Sequence, residues 1–230
     1  MIKYAVSIFV VAMAIWAWPK DRTMVIDRDT TLAANFEVPE SLTCTIKSGT
    51  TIRFGCYGKF IVRGLLIAQG TAADPITFTC LGRPHGAMLP PCWYGIFVTG
   101  KASHADFRNC RFEGMYRGLV WESSPLFDSC EFAGNHFALY CTKKASPLVR
   151  NCRFYHNVYG ITADFATPLL RNNLVTANTI GVYLQVGSQP LAGPNTITGN
   201  ETNIRTETAT GGDTTAFSMK YLWEIMNDLY

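Results

Sequence analysis

Charge is scarce in this chain. Acidic and basic residues make up only 16% of the 230 residues, and the formal net charge is +3. No stretch concentrates Lys and Arg, so the electrostatic footprint of a nucleic-acid-binding protein is missing and no nucleic-acid partner is expected. Few charges beside 48% hydrophobic residues exclude a solvated, disordered chain. The length suits one domain with a sizeable core and is short for two.

Long apolar runs are equally rare. The one that exists stretches from Tyr4 to Trp18, about 15 residues, after a single positive charge at Lys3, and Pro19-Lys20-Asp21-Arg22 closes it. A full bilayer span takes roughly 20 residues. The run therefore suits a signal peptide, with Ala12-Met13-Ala14 as a small-x-small cleavage site. It also suits a retained membrane anchor, with Trp16 and Trp18 as interfacial aromatics. Residues 1–22 are expected to be that signal or transmembrane helix, with the anchor preferred and membrane lipid as its partner. The protein would then sit on the periplasmic face of the cytoplasmic membrane, or be secreted if the leader is removed. Eight cysteines agree with export. Cys80 and Cys92 bracket a loop holding Arg83, Pro84, His85, Gly86, Pro90 and Pro91, so a disulfide there is expected, with Cys44 and Cys56 as a second pair.

What the chain does have is an internal repeat. Gly95-Ile96, Gly118-Leu119, Ala138-Leu139, Gly160-Ile161, Gly181-Val182 and Asn203-Ile204 recur at spacings of 23, 20, 22, 21 and 22 residues. Ser124-Pro125-Leu126, Ser146-Pro147-Leu148, Thr167-Pro168-Leu169 and Gln189-Pro190-Leu191 keep the same beat. So do Cys110, Cys130, Cys152, Asn173 and Asn195, and so do Gly114, Asn135, Asn157, Asn178 and Asn200. Inside each repeat apolar residues alternate, as in Cys110 and Phe112 or Cys152 and Phe154, which is the period of a strand. Leucine-rich-repeat spacing is absent, and no helical stripe fits beside the strands. Two or three short strands per coil, stacked rung on rung, remain. Equivalent residues should then form ladders about 4.8 Å apart. Phe112, Phe132 and Phe154 would build an aromatic ladder. Ile96, Leu119, Leu139, Ile161, Val182 and Ile204 would build an aliphatic one, and the Asn set a turn ladder, Asn tolerating the left-handed conformation. Val25 to Ala34 or the leader would cap the first rung. Residues 213–230 break the repeat, and Phe217, Tyr221, Leu222, Ile225 and Leu229 at helical spacing predict a capping or docking helix.

Asn151-Cys152-Arg153-Phe154, Asn157 and Gly160-Ile161, with the Leu42–Phe54 and Ile61–Thr79 segments, make the chain resemble the right-handed parallel β-helix family of the pectate-lyase-like type, over roughly residues 24–210. The expected fold is all-β: a right-handed parallel β-helix solenoid over 23–212, with an N-terminal apolar helix and a short C-terminal helix. That family includes polysaccharide lyases, with clustered Asp holding Ca²⁺, and hydrolases, with Asp on adjacent rungs. Here Asp106, Glu113, Glu122, Asp128, Glu131 and Asp164 form no acidic cluster, so no catalytic residue, cofactor or metal is assigned. His136 and His156 flank one turn on neighbouring rungs but lack a third ligand. Cys110, Cys130 and Cys152 are expected as buried thiols. Trp93, Tyr94, Tyr116, Trp121, Tyr140, Tyr155, Tyr159 and Tyr183 are the expected exposed aromatics, with Tyr94, Arg117, Tyr159 and Ile180 facing outward. The function expected is a non-catalytic accessory or scaffold subunit of a membrane protein complex, respiratory or photosynthetic for example. Its interaction candidates are Trp16, Trp18, Tyr94, Tyr159, Tyr221, Leu222, Trp223, Ile225 and Met226. The alternative is a carbohydrate-binding module, or a relative of polysaccharide lyases and hydrolases, with polysaccharide as the partner.

Overall fold

The computed structural model of the chain describes residues 22–83, 90–188 and 193–207. Among them the chain winds through three parallel sheets, one strand per sheet per coil. The first sheet stacks seven strands, from Arg22–Ile26 and Leu42–Ile46 up to Leu148–Arg150 and Leu169–Arg171. The second stacks eight, from Thr30–Leu32 to Thr196–Ile197, and the third stacks eight, from Phe36–Val38 to Thr202–Thr206. Strands of two to six residues suffice because all but those at the ends of each sheet are hydrogen-bonded on both sides by their neighbours in the stack. The expected helices at 1–22 and 213–230 lie outside the described residues. No helix among the described residues is long and apolar enough to cross a membrane.

One core runs the length of the solenoid. Phe112 pairs with Phe78 below it and Phe132 above, and Phe132 with Phe154. The rings stack at 5.2, 4.6 and 4.6 Å between centroids, with planes within 20° of parallel. The ladder thus begins one rung earlier than the repeat indicates. Each such pair adds about 0.5–1.5 kcal/mol beyond the burial of its area. Cys44, Cys110, Cys130, Cys141 and Cys152 fill small gaps in the same core as free thiols. Burial pushes Cys44 up to about 12 and raises Cys130, Cys141 and Cys152 well above an ordinary thiol, so these sulfurs pack without reacting.

Two corners per coil are made by single residues in the left-handed region. Asn109, Ser129, Asn151 and Asn172 turn the chain from the first sheet into the second, with φ between 46° and 56°. Gly114, Gly134, His156, Ala177 and Gly199 turn it after the second sheet, with φ between 53° and 70°. The Asn ladder residues follow the second set, so they are not the left-handed residues that the sequence suggests. Their work is hydrogen bonding. Asn135 Nδ2 donates to Asn157 Oδ1 at 3.0 Å, Asn157 Nδ2 to Asn178 Oδ1 at 2.9 Å, and Asn178 Nδ2 to Asn200 Oδ1 at 2.8 Å. Each amide also satisfies backbone groups at the inside of the turn that no strand can reach. Asn173 and Asn195 repeat the device at the other corner, where Cys152 N donates to Asn173 Oδ1.

The recurrent Gly before the aliphatic residue has a steric reason. A Cβ at Gly160 would lie 2.5 Å from Gly181 O on the next rung, and one at Gly95 (φ 129°) would lie 2.0 Å from Arg117 O. The beat is broken once. Strand Phe137–Thr142 carries an extra residue, and the register shifts between Arg117 and Leu119. Leu119 therefore pairs with Phe97 and Tyr140 on the outer face instead of joining the inward aliphatic ladder. Val25–Ala34 is not a separate cap either: strands Arg22–Ile26 and Thr30–Leu32 form the first rung itself.

Candidate interaction surface

The outer faces of the first two sheets neutralise their own charges. Asp128 receives Arg150 Nη2 at 2.7 Å, and Arg108 contacts Asp106 at 2.9 Å. Glu131 sits between Arg111 at 3.3 Å and Arg153 at 3.4 Å, on the rungs below and above. Burial raises the Asp128 carboxyl, but bonds from Asn151, Arg150 and Ser129 and the charge of Arg150 together hold it below the usual range. These partly exposed pairs are worth about 0–1 kcal/mol each.

The corner leading into the third sheet is different. Tyr94 meets Tyr116 edge-on at 5.7 Å, Tyr116 stacks on His136 at 5.3 Å, Phe137 on Tyr159 at 4.6 Å and Tyr159 on Tyr183 at 6.0 Å. Lys59 Nζ lies 4.8 Å over the Tyr94 ring, and the Arg117 guanidinium lies over Tyr116, Phe137 and Tyr140 at 5.3–5.4 Å. Burial, with the Arg117 charge, holds His136 below the usual imidazole range. The lower end of the row opens into a cleft of about 380 Å³ lined by Cys56, Tyr57, Pro91, Cys92, Trp93, Tyr94 and Tyr116. Tyr57 is 78% exposed and Tyr116 37%, so their rings are available.

The disulfide expected between Cys80 and Cys92 is present and braces this cleft, with Cα atoms 6.0 Å apart. Arg83 reinforces the brace: its guanidinium donates to Pro90 O at 3.0 Å and Gly134 O at 3.2 Å. The Cys44–Cys56 pair does not form. Cys44 points into the core opposite Leu66, while Cys56 lies exposed in the turn after strand Thr51–Phe54. Reducing Cys80–Cys92 should lower stability by about 2–3 kcal/mol, the closure entropy of a short loop. Urea titrations with and without dithiothreitol, against a Cys80→Ser/Cys92→Ser control insensitive to reductant, measure it.

Of the sequence candidates, Tyr94 and Tyr159 fall into this one row. Trp16, Trp18, Tyr221, Leu222, Trp223, Ile225 and Met226 lie outside the described residues. Trp93 is not exposed: only 2% of it is open, because it stacks on Phe54 at 4.2 Å and donates Nε1–H to Glu113 O. Tyr140, Tyr183, Arg117 and Ile180 are also buried, on the outer side of the third sheet. Tyr57, Pro91 and Cys56 escaped sequence reasoning, since nothing in the local pattern links residues 56–57 to 91–94. No group of three or more His, Cys, Asp or Glu among the described residues is placed to hold a metal.

On the same outer side Asp164 accepts from Tyr140 Oη at 3.0 Å and Thr142 Oγ1 at 3.3 Å, and Tyr183 Oη donates to Glu207. Burial, offset in part by those two bonds, raises the Asp164 carboxyl above its usual range. Burial and the bond to Glu207 push Tyr183 up to about 12. The folded state thus holds the Asp164 proton more tightly than the unfolded chain. That contribution to stability is complete below the unfolded value of 3.8 and is lost as pH rises through the folded value. Asp164→Asn should therefore flatten the fall in urea midpoint between pH 4 and 7. Parallel midpoint curves for the two proteins would contradict it.

Comparison with known proteins agrees with this architecture. A family model described as "right handed beta helix region" matches residues 88–216, more than half of the chain. No curated protein sequence matches. A trypsin-treated form of QnrB1, a plasmid-mediated fluoroquinolone resistance protein, aligns at 11% identity over 87% of this chain and 97% of its own, with a TM-score of 0.23. The stacked parallel strands, the inward Phe and Asn ladders and the family match together place the chain in the right-handed β-helix family.

Proposed function

We propose that the protein is a non-catalytic interaction scaffold, an accessory subunit of a membrane protein complex. In this reading residues 1–22 tether the solenoid to the periplasmic face of the cytoplasmic membrane. The observation that carries the reading is the aromatic row running from Tyr94 through Tyr116 and His136 to Tyr159 and opening into the apolar, disulfide-braced cleft with Tyr57. Rigid rings beside an apolar cleft are what the anchor residues of a protein partner use, because they bury large area with little loss of side-chain freedom. A stacked scaffold suits the role, since it holds those rings at fixed spacing.

The test is photo-crosslinking from position 57 or 116 in native membranes. A discrete adduct with another membrane protein is expected, reduced at least tenfold by Tyr94→Ala/Tyr159→Ala, a loss of about 1.4 kcal/mol or more in binding. Release of the intact chain as a monomer by alkaline washing, with retardation in polysaccharide gels, would transfer the row to sugar stacking.

A further inference from the structure

Three sulfurs share one corner of the solenoid: the bridged Cys80 and Cys92, and the free Cys56. Cys56 is the one exposed thiol; Cys44, Cys110, Cys130, Cys141 and Cys152 are buried. It stands in the tight turn after strand Thr51–Phe54, where Gly58 N donates to Gly55 O at 3.1 Å. Cys92 lines the same cleft. Register brings the two together. Lys59 pairs with Gly95 on the next rung, and Tyr94 N donates to Gly58 O at 3.0 Å. Counted back from there, Cys56 and Cys92 stand at the same step of adjoining rungs, whose spacing is about 4.8 Å. Cys80 is tied to this corner too. It pairs with Phe54, two residues before Cys56, and Trp93 stacks on Phe54 at 4.2 Å.

The bridge is open to attack at one sulfur. Cys80 is only 4% exposed and belongs to the core, whereas Cys92 is half-buried and borders the cleft. On the rung above, Gly114 backs Cys92 closely: a Cβ there would lie 2.9 Å from Cys92 Sγ. Arg83 Nη1 lies 3.7 Å from the same sulfur, a positive charge beside the atom that an incoming thiolate must reach.

We propose that Cys56 and the Cys80–Cys92 bridge form a thiol–disulfide exchange site that switches the cleft between two covalent states. Cys56 gives its thiol proton to water, and the thiolate attacks Cys92 Sγ. The Cys56–Cys92 bond forms as the Cys80–Cys92 bond breaks, and the electron pair leaves on Cys80 Sγ, which takes a proton from water. Nothing is oxidised or reduced overall, and no further reactant is needed. The freed thiol has a place, because Cys80 already belongs to the core in which Cys110 and Cys130 lie as buried thiols. Moving the bridge ties the turn of Tyr57 to Pro91 and Trp93 across the cleft. The cleft is open with Cys80–Cys92 and drawn shut with Cys56–Cys92. Its regulation of partner binding rests on the scaffold reading; the exchange itself does not.

Disulfide mapping of the full-length chain tests the exchange and needs no partner. Protein isolated at pH 5 should carry Cys80–Cys92 with Cys56 free. It is then held at pH 8 without reductant, quenched in acidic denaturant with a maleimide, and mapped by peptide mass spectrometry. Cys56–Cys92 with alkylated Cys80 is expected in about a tenth of the chains or more. Its rate of appearance should rise about tenfold or more from pH 6 to pH 8, because the thiolate is the attacking species. Cys56→Ser should abolish this isomer and keep Cys80–Cys92. In Cys80→Ser, oxidised glutathione should join Cys56 to Cys92, with glutathione adducts only transient. Cys80–Cys92 as the sole pairing in the wild type at pH 8 overturns the proposal. So does pairing of Cys56 with Cys44 or Cys110 at a comparable level, which would mean that the chain had unfolded and scrambled. If Cys56–Cys92 forms but position 116 crosslinks no membrane protein, the exchange stands and the scaffold reading alone falls.

Discussion

Replacing Phe132 with alanine should cost about 4 kcal/mol, the range for deleting a buried aromatic side chain. Phe132 is 1% exposed, stacks at 4.6 Å on both Phe112 and Phe154, and meets Phe127 edge-on at 5.7 Å. The cavity would lie mid-stack, where backbone hydrogen bonds from the rungs above and below fix the walls and prevent collapse. The expected fall in Tm is about 8–16 °C. Phe132→Leu should recover more than half of the loss by refilling most of the volume. Urea titration followed by circular dichroism measures both. A loss under 1 kcal/mol for the alanine variant would mean that the ladder contributes little as a unit. Because a solenoid couples only neighbouring rungs, the same change is also expected to broaden the transition as the two halves uncouple.

The second large effect falls on a polar residue. Asn157 is 3% exposed, and its amide takes part in four hydrogen bonds. It donates to Phe132 O at 3.0 Å and Asn178 Oδ1 at 2.9 Å, and accepts from Asn135 N and Asn135 Nδ2 at 2.9 and 3.0 Å. Asn157→Leu keeps the size and removes every one of them. Asn135 N and Phe132 O would then be stranded inside the turn, at about 1–3 kcal/mol for each that water cannot reach, while Asn178 Oδ1 keeps Asn157 N and Asn135 Nδ2 keeps Phe112 O. A loss of about 4 kcal/mol or more is expected, as large as that of the core phenylalanine. The amides polarise one another head to tail, so breaking the middle of the chain should weaken Asn135 and Asn178 as well. Double-variant cycles of Asn157→Leu with Asn178→Leu should be non-additive, because the bond from Asn157 Nδ2 to Asn178 Oδ1 is lost in either single variant and counts once in the double. Full additivity would show that the amides act independently.

These two residues show why so much of the fold is legible in the sequence. A stack repeats one environment every coil, so the demands on a position are written several times over: Phe at 112, 132 and 154, Asn at 135, 157, 178 and 200. The inward ladders and the free buried thiols follow from that repetition, and the Cys80–Cys92 disulfide from the loop that its two cysteines bracket. Where the sequence misled, one added residue or one turn was responsible. The extra residue in Phe137–Thr142 turned Leu119 outward, and the corner after strand Thr51–Phe54 carried Cys56 away from the inward-facing Cys44. The interaction surface was half legible. Tyr94 and Tyr159 stand at a repeating position, so their alignment shows in the spacing. Tyr57 and Pro91 do not repeat, and meet only because one coil carries its turn over another.

The sequence by itself determined the solenoid, since period-two alternation inside a 20- to 23-residue beat leaves strands no other way to bury their apolar positions. Only the tertiary structure decided which side of the solenoid is special. An outward position in the first sheet and one in the third have the same local alternation. Whether an outward residue meets water, a charge on the next rung or an apolar layer depends on what lies across the stack, and no local pattern encodes that. The shielded aromatic face of the third sheet became visible only once the coils were laid on one another.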